Sequence, residues 1–170
     1  QLLSGIQSRL KPKALRGNFT RPENLHLTLR FMGEVEPGYF AVLKRILDII
    51  AGKYPSFRLQ LSGPGVFDRG HKSIVWWGIK ENGQLLELQK ALEQEIRLNG
   101  FPPETKSYSP HITLAREFVS EDSMKNVMNL LHPVNHQFHV PAISLMESTR
   151  VDGKLTYLCR YKAELLPGIE

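Results

Sequence analysis

Two short stretches of this chain repeat one pattern of chemically capable side chains, His26-Leu27-Thr28-Leu29 and His111-Ile112-Thr113-Leu114. Each alternates an imidazole and a hydroxyl with two aliphatic residues. In an extended strand, side chains two residues apart share a face. Each copy therefore presents His and Thr together and turns Leu27 and Leu29, or Ile112 and Leu114, towards a core. Brought face to face, the two copies would surround one small volume with two imidazoles and two hydroxyls. Imidazole is the side chain type that changes charge near neutral pH, so a pair can serve as acid and base, while hydroxyls donate to anionic oxygens. That is equipment for acid–base chemistry on a phosphate. A single His-x-Thr would be read as structural; two copies with the same apolar alternation favour function.

The elements that must position these motifs follow from periodicity and breakers. Leu2, Leu3, Ile6 and Leu10 share a helical face that Pro12 stops. Residues 24–33 read as the first motif strand, ended by Gly33. Pro37 opens a helix whose apolar face runs from Tyr39 to Ile50 and which Gly52 closes. Residues 57–61 alternate as a strand and enter a turn-rich loop from Gly63 to Gly70. Ser73–Ile79 is a second strand with Trp76 and Trp77 at its centre. Asn82-Gly83 starts a helix with a Leu85, Leu88, Leu92, Ile96 stripe, and Pro102-Pro103 follow its end. The second motif strand spans 109–117. Ser120 is placed to cap a short helix carrying Met124, Val127, Met128 and Leu131. Strands near 136–146 and 154–165, joined at Asp152-Gly153, complete the chain.

Helices and strands interleave here without regular βαβ units. The expected fold class is α+β: two-lobed, with two pseudo-symmetric antiparallel sheets lining a central cleft, helices on the outside, and residues 1–170 forming a single bilobal domain. Half the chain separates the motifs, which suits two related halves, although nothing outside the motifs repeats.

At 170 residues, 41% hydrophobic and 23% charged, the chain has the composition of an ordinary globular domain. No apolar run is long enough for a transmembrane helix, and no secretory leader pattern opens the sequence. The one cysteine, Cys159, cannot pair within the chain and has no adjacent His, which argues against a thiol nucleophile and for a reducing cytoplasm. The net charge of +5 is concentrated: residues 1–30 hold six cationic side chains against Glu23 and lead into the first motif. Such a segment draws a polyanion towards that motif. Residues 81–104 carry the acidic counterpart, a solvated helix face. His132, His136 and His139 lie close in sequence, but their spacing fits no standard zinc pattern. Pro133 blocks a helical His-x-x-x-His face, and His136 and His139 fall on opposite faces of a strand. The expectation is a monomer with no metal, no other cofactor and no membrane partner.

The wider contexts, Arg-Pro-Glu-Asn-Leu-His-Leu-Thr-Leu-Arg-Phe-Met-Gly-Glu-Val over 21–35 and Lys-Ser-Tyr-Ser-Pro-His-Ile-Thr-Leu-Ala-Arg over 106–116, resemble the two signature stretches of the two-histidine phosphoesterase superfamily. Within it they most resemble the prokaryotic RNA 2′,3′-cyclic phosphodiesterases, historically called 2′-5′ RNA ligases. Val75–Ile79 and Ser144–Ser148 are similar to further strands of that family, so the likeness extends over nearly the whole chain. It implies metal-independent hydrolysis of RNA or nucleotide 2′,3′-cyclic phosphodiester ends to 2′-phosphomonoesters, with reverse 2′-5′ RNA ligation. It implies His26 as proton donor, His111 as proton acceptor, and Thr28 and Thr113 as phosphate-binding hydroxyls. Arg116 resembles a phosphate contact and Phe31 a ring that stacks on the base. Tyr108 is a further substrate-lining candidate, with packing as the alternative for it and for Phe31. The resemblance also implies a short strand ahead of the first helix, so residues upstream of Gln1 are expected.

Arg116 and Phe31 stand at odd offsets from their histidines. A regular strand would turn both away, so a bulge or strand end must re-aim them. A different class, a non-catalytic RNA-binding module using the basic N-terminal segment and exposed aromatics, is the poorer reading because binding alone needs no matched acid and base.

Overall fold

Apolar stripes and the residues that interrupt them decide where the elements begin and end in the computed structural model, which describes residues 2–168. The described chain divides into two compact units, each assembled from three stretches: residues 2–28, 60–80 and 109–137 in the first, and 29–59, 81–108 and 138–168 in the second. Its strands form a five-stranded sheet and a two-stranded sheet, and the described strand pairs are antiparallel. The fold is α+β with two antiparallel sheets, of unequal size.

In the first unit, helix α1 (Leu2–Leu10) buries Ile6 and Leu10 one turn apart, and a 3-10 turn over Lys11–Lys13 accommodates Pro12. Strand β1 (Arg16–Phe19) then pairs with β4 (His111–Val119), which pairs on its other side with β3 (Ser73–Ile79). Strand β2 (Phe57–Asp68) follows β3 in the sheet and β5 (Gln137–Val140) closes it. Both β2 and β5 run through the boundary between the units. Leu10, Val75, Trp77, Leu114, Phe118 and Val127 are almost wholly excluded from solvent and make the core of this unit. Full burial of each such aliphatic or aromatic side chain contributes roughly 1.5–3 kcal/mol.

In the second unit, α2 (Phe40–Ala51) packs on α3 (Gly83–Leu98) and on the hairpin of β6 (Ala142–Val151) and β7 (Lys154–Glu164). Ile46 and Ile50 from α2 and Leu85, Leu88, Leu92 and Ile96 from α3 are buried, as their spacing predicts. Asn82 caps α3 by accepting from the Leu85 amide at 2.9 Å. Asp152 and Gly153 turn the hairpin with φ of +49° and +74°, the left-handed pair that a two-residue type I′ connection requires.

Four expectations about elements need correction. Residues 24–33 are not a strand. The edge of β4 beyond Ala115 is already occupied by β1, and Pro22 lacks an amide proton and starts a 3-10 turn over Pro22–Asn24. The chain then returns to β4 at one point, the antiparallel bridge Leu27–Ile112. The Gly63–Gly70 stretch is not all loop, because β2 continues through it to Asp68. The strand expected over 136–146 is divided at Pro141 into β5 and β6. Helix α4 (Met124–Asn129) is capped by Ser123, which accepts from the Asn126 amide, while Ser120 accepts from Asp122.

Gln7, on the buried face of α1, is the polar tie of the first unit. Its side-chain amide donates to the carbonyls of Thr20 at 2.6 Å and Leu114 at 2.9 Å. A Gln7→Leu variant keeps the bulk but leaves buried carbonyls short of a donor. It is expected to cost about 1–3 kcal/mol, seen as a lower urea midpoint with an unchanged m value.

Candidate active site

The Leu27–Ile112 bridge sets the geometry of the two motifs. Because the pairing is antiparallel, His26 stands across from Thr113 and Thr28 across from His111. Leu27 and Ile112 turn to one side of the bridge, so the four polar side chains on either side of them share the other. Each imidazole is thus beside the hydroxyl of the other motif as well as two residues from its own.

Both rings are oriented in the same way. His26 Nδ1 lies 2.7 Å from the Asn24 carbonyl and His111 Nδ1 lies 2.6 Å from the Ser109 carbonyl. A carbonyl oxygen only accepts, so each Nδ1 carries a proton and donates it. The exchangeable nitrogen is then Nε2 in both rings: a lone pair when the ring is neutral, an N–H when it is charged. One tautomer therefore serves an acid and a base alike.

Arg116 reaches the same face through the distortion that its odd offset demands. Trp76 pairs with Thr113 and Val75 with Ala115, so β4 spends two residues where β3 spends one. Leu114 and Ala115 are consequently both buried in succession, and Arg116 emerges exposed on the side of His111 and Thr113. A second irregularity follows at once. Ser73 pairs with Phe118, and Glu117 takes a left-handed φ of +53°. Glu117 is ion-paired with Lys72, whose hydrogen bond holds its carboxyl below the usual carboxylate range, and Arg16 adds to the effect.

Two aromatic residues that the motif reading did not single out brace His111. The rings of Phe67 and Trp76 lie 5.0 and 5.7 Å from the imidazole and 5.1 Å from each other. Trp76 lies flat over β2 at Gly65, where a Cβ would fall 2.1 Å from the indole. The glycine that marks a turn in the sequence is here a seat for the indole ring. That signal was legible only as a break in the strand pattern.

Phe31 and Tyr108 belong to the second unit. Phe31 is 74% exposed, so it is not a core residue. Tyr108 is largely buried, its hydroxyl has no hydrogen-bond partner among the described residues, and burial pushes its phenol above the ordinary range. His132, His136 and His139 are all exposed. Among the described residues no three His, Cys, Asp or Glu side chains group in a way that could hold a metal ion, and no helix is long and apolar enough to cross a membrane.

The chain bridges its two His-x-Thr segments antiparallel on one face of an α+β fold. It belongs to the 2′-5′ RNA ligase superfamily, whose family profile matches residues 5–152. A relative from Methanothermobacter thermautotrophicus, an RNA 2′,3′-cyclic phosphodiesterase, is 34% identical over 115 residues, covering 67% of this chain and 62% of the relative. The chain spans less than two thirds of that relative's length, and 40% and 53% of similarly named proteins from Geobacillus stearothermophilus and Aeropyrum pernix. Among solved structures, E. coli LigT complexed with 3′-AMP matches with a TM-score of 0.77 at 27% identity, over 94% of this chain and 88% of that one. The Thermus thermophilus protein TT0787 shares the fold, with a TM-score of 0.83 at 24% identity over 98% and 91% of the two chains.

The seat under Trp76 can be tested directly. Gly65→Ala places a methyl group inside the indole's space, so the ring must leave β2 and the contact with His111 must loosen. The expected result is a shifted tryptophan emission and a displaced His111 ring resonance in NMR spectra. Unchanged spectra would show that the aromatic brace does not hold the imidazole.

Proposed function

We propose that this chain hydrolyses the 2′,3′-cyclic phosphodiester at the end of an RNA, or of a nucleotide, to a 2′-phosphomonoester by metal-independent catalysis between His26 and His111. The observation that carries this reading is the crossed pairing of the motifs. It supports the reading because both imidazoles use Nδ1 for a backbone carbonyl and share a face with two hydroxyls. The relatives named RNA 2′,3′-cyclic phosphodiesterase and the 3′-AMP complex of LigT support it.

In the proposed reaction, neutral His111 takes a proton from a water molecule at Nε2 as the water oxygen bonds to phosphorus. The bond from phosphorus to the ribose 3′-oxygen breaks, and protonated His26 delivers its Nε2 proton to that oxygen. Thr28, Thr113 and Arg116 stabilise charge on the non-bridging oxygens. Each positioned acid or base contributes about a hundred- to ten-thousand-fold. With an RNA 5′-hydroxyl in the place of water, the same groups would form a 2′-5′ linkage, and run in reverse they would cleave one. Phe31 as a base-stacking ring and Tyr108 as a substrate contact are part of the reading, as are a monomeric state and a cytoplasmic setting, which the single cysteine supports.

The donor set of two imidazoles and two hydroxyls calls for no hard cation. Full activity is therefore expected after exhaustive chelation. Loss with EDTA and recovery with Mg²⁺ or Zn²⁺ would overturn the metal-free mechanism.

The histidines are separated by a product and leaving-group experiment on an RNA ending in 2′,3′-cyclic phosphate. Turnover against pH is expected to be bell-shaped, since one ring must be charged and the other neutral. His26→Ala and His111→Ala should each remove most of the activity and the double variant little more, because the two act as a unit. A nitrophenyl phosphodiester, whose leaving group departs without protonation, should rescue His26→Ala and not His111→Ala. Rescue of His111→Ala instead would exchange the two roles. A wild-type protein that binds the RNA and leaves the cyclic phosphate intact would establish the non-catalytic binding module.

A further inference from the structure

We propose that a cationic cavity on the first unit, lined by Arg69 and Lys72 and bordered by Arg116, holds a backbone phosphate upstream of the reacting one, so that the protein recognises an oligoribonucleotide end and not its terminal nucleotide alone. This rests on the function proposed above and assigns a second phosphate site to it.

The cavity has a volume of about 430 Å³ and is lined also by Asn18 and Glu117. Arg69 stands in the tight turn between β2 and β3. The turn is fixed by hydrogen bonds from the Arg69 amide to the Lys72 carbonyl at 2.9 Å and from the Gly70 amide to the Asp68 carboxylate at 2.8 Å. The cavity therefore has a pre-shaped rim. Its single carboxylate, Glu117, is already matched by Lys72 and faces Arg16 as well. Arg69 and Arg116 have no carboxylate partner among the described residues. A purely structural ion-pair network would match its charges. Arg116 serves the reacting phosphate in the reaction proposed above, so the exposed Arg69 guanidinium is left over at the far side of the cavity, and its planar fork suits phosphate oxygens.

Position points to the same ligand. Along β3, Trp76 lies opposite Thr113, and Lys72 is four residues further towards the hairpin, with Arg116 between those levels on β4. Four strand residues span roughly 13 Å at about 3.3 Å each, a distance that an RNA strand covers in one or two nucleotides. A mononucleotide held at the histidines would end short of Lys72 and Arg69. Glu117 has a defined part in this arrangement: it orients Lys72, and it weakens the cavity for an anion by one charge.

The test compares a trinucleotide ending in 2′,3′-cyclic phosphate with a mononucleoside 2′,3′-cyclic phosphate. Arg69→Gln, at an exposed turn, should lower the trinucleotide-to-mononucleotide ratio of kcat/KM about tenfold and reduce the salt dependence of trinucleotide binding by roughly one unit of slope. Glu117→Gln should change the ratio in the opposite direction, raising it. An unchanged ratio in both variants, or equal losses on both substrates, would overturn the second phosphate site while leaving the two-histidine reaction intact. If the wild type turns over neither substrate, the proposed reaction fails. The cavity is then judged by fluorescence anisotropy with a trinucleotide carrying a 2′-phosphate, where a salt slope unaffected by Arg69→Gln would overturn it and a reduced slope would support it.

Discussion

The carbonyl of Leu114 is the point on which the site depends. It accepts from the Thr20 amide and from the Gln7 side chain, both at 2.9 Å, and it belongs to the residue at which β4 departs from regular alternation. A strand allows side chains on a given face only at every second position. His111 and Thr113 obey that rule, and Arg116 cannot join them unless one residue is inserted. The insertion lies on the β3 side of β4, and on the opposite, β1 side the Thr20 amide and the Gln7 side chain satisfy the Leu114 carbonyl. The same bonds hold the chain at Thr20, just before it turns through Pro22–Asn24 to present His26. One polar tie therefore serves both motifs.

The two halves of the site are built with different stiffness. His111 lies on a central strand, paired on both sides and flanked by Phe67 and Trp76. His26 lies on an irregular segment held at intervals, by the Leu27 bridge and then by Arg30. The Arg30 side chain, 9% exposed, pairs with Glu93 at 3.3 Å and Glu104 at 2.9 Å and donates to the Pro102 carbonyl at 2.6 Å. Backbone amides of Lys106 and Thr105, together with Arg30, hold the Glu104 carboxyl below its ordinary range. Arg30 is largely enclosed while its partner Glu104 is exposed, and a pair of this kind adds little net stability. Its consequence here is positional: within the second unit it ties the chain at Arg30 to α3 and to the segment that follows it.

Glycine has a packing role beside the site as well as a conformational one. Gly65 admits the Trp76 indole, and Gly78, where a Cβ would lie 2.5 Å from the Ser62 hydroxyl and 3.2 Å from the same indole, keeps the neighbouring strand position open. The aromatic brace of His111 thus depends on missing side chains two strands deep.

What the chain determined locally was the set of side chains that share a face. The i, i+2 spacing of His26 with Thr28 and of His111 with Thr113, the apolar stripes of α2 and α3, the Asp152-Gly153 turn, and the need for a bulge before Arg116 are all consequences of bond geometry over a few residues. Residues 24–33 show where that reading ends. Their alternation is that of a strand, yet β1 had already taken the adjacent edge of β4, and Pro22 forced a detour. Gly63-Pro64-Gly65 reads as a turn and is strand, because an indole from β3 occupies the space a side chain would need. Gln7 reads as one more polar residue on an amphipathic helix. Its two carbonyl partners lie 13 and 107 residues away in sequence. The pairing of each histidine with the other motif's threonine was likewise decided by tertiary structure alone. Local pattern sets which face a side chain takes, but only long-range hydrogen bonds choose the strand it will face.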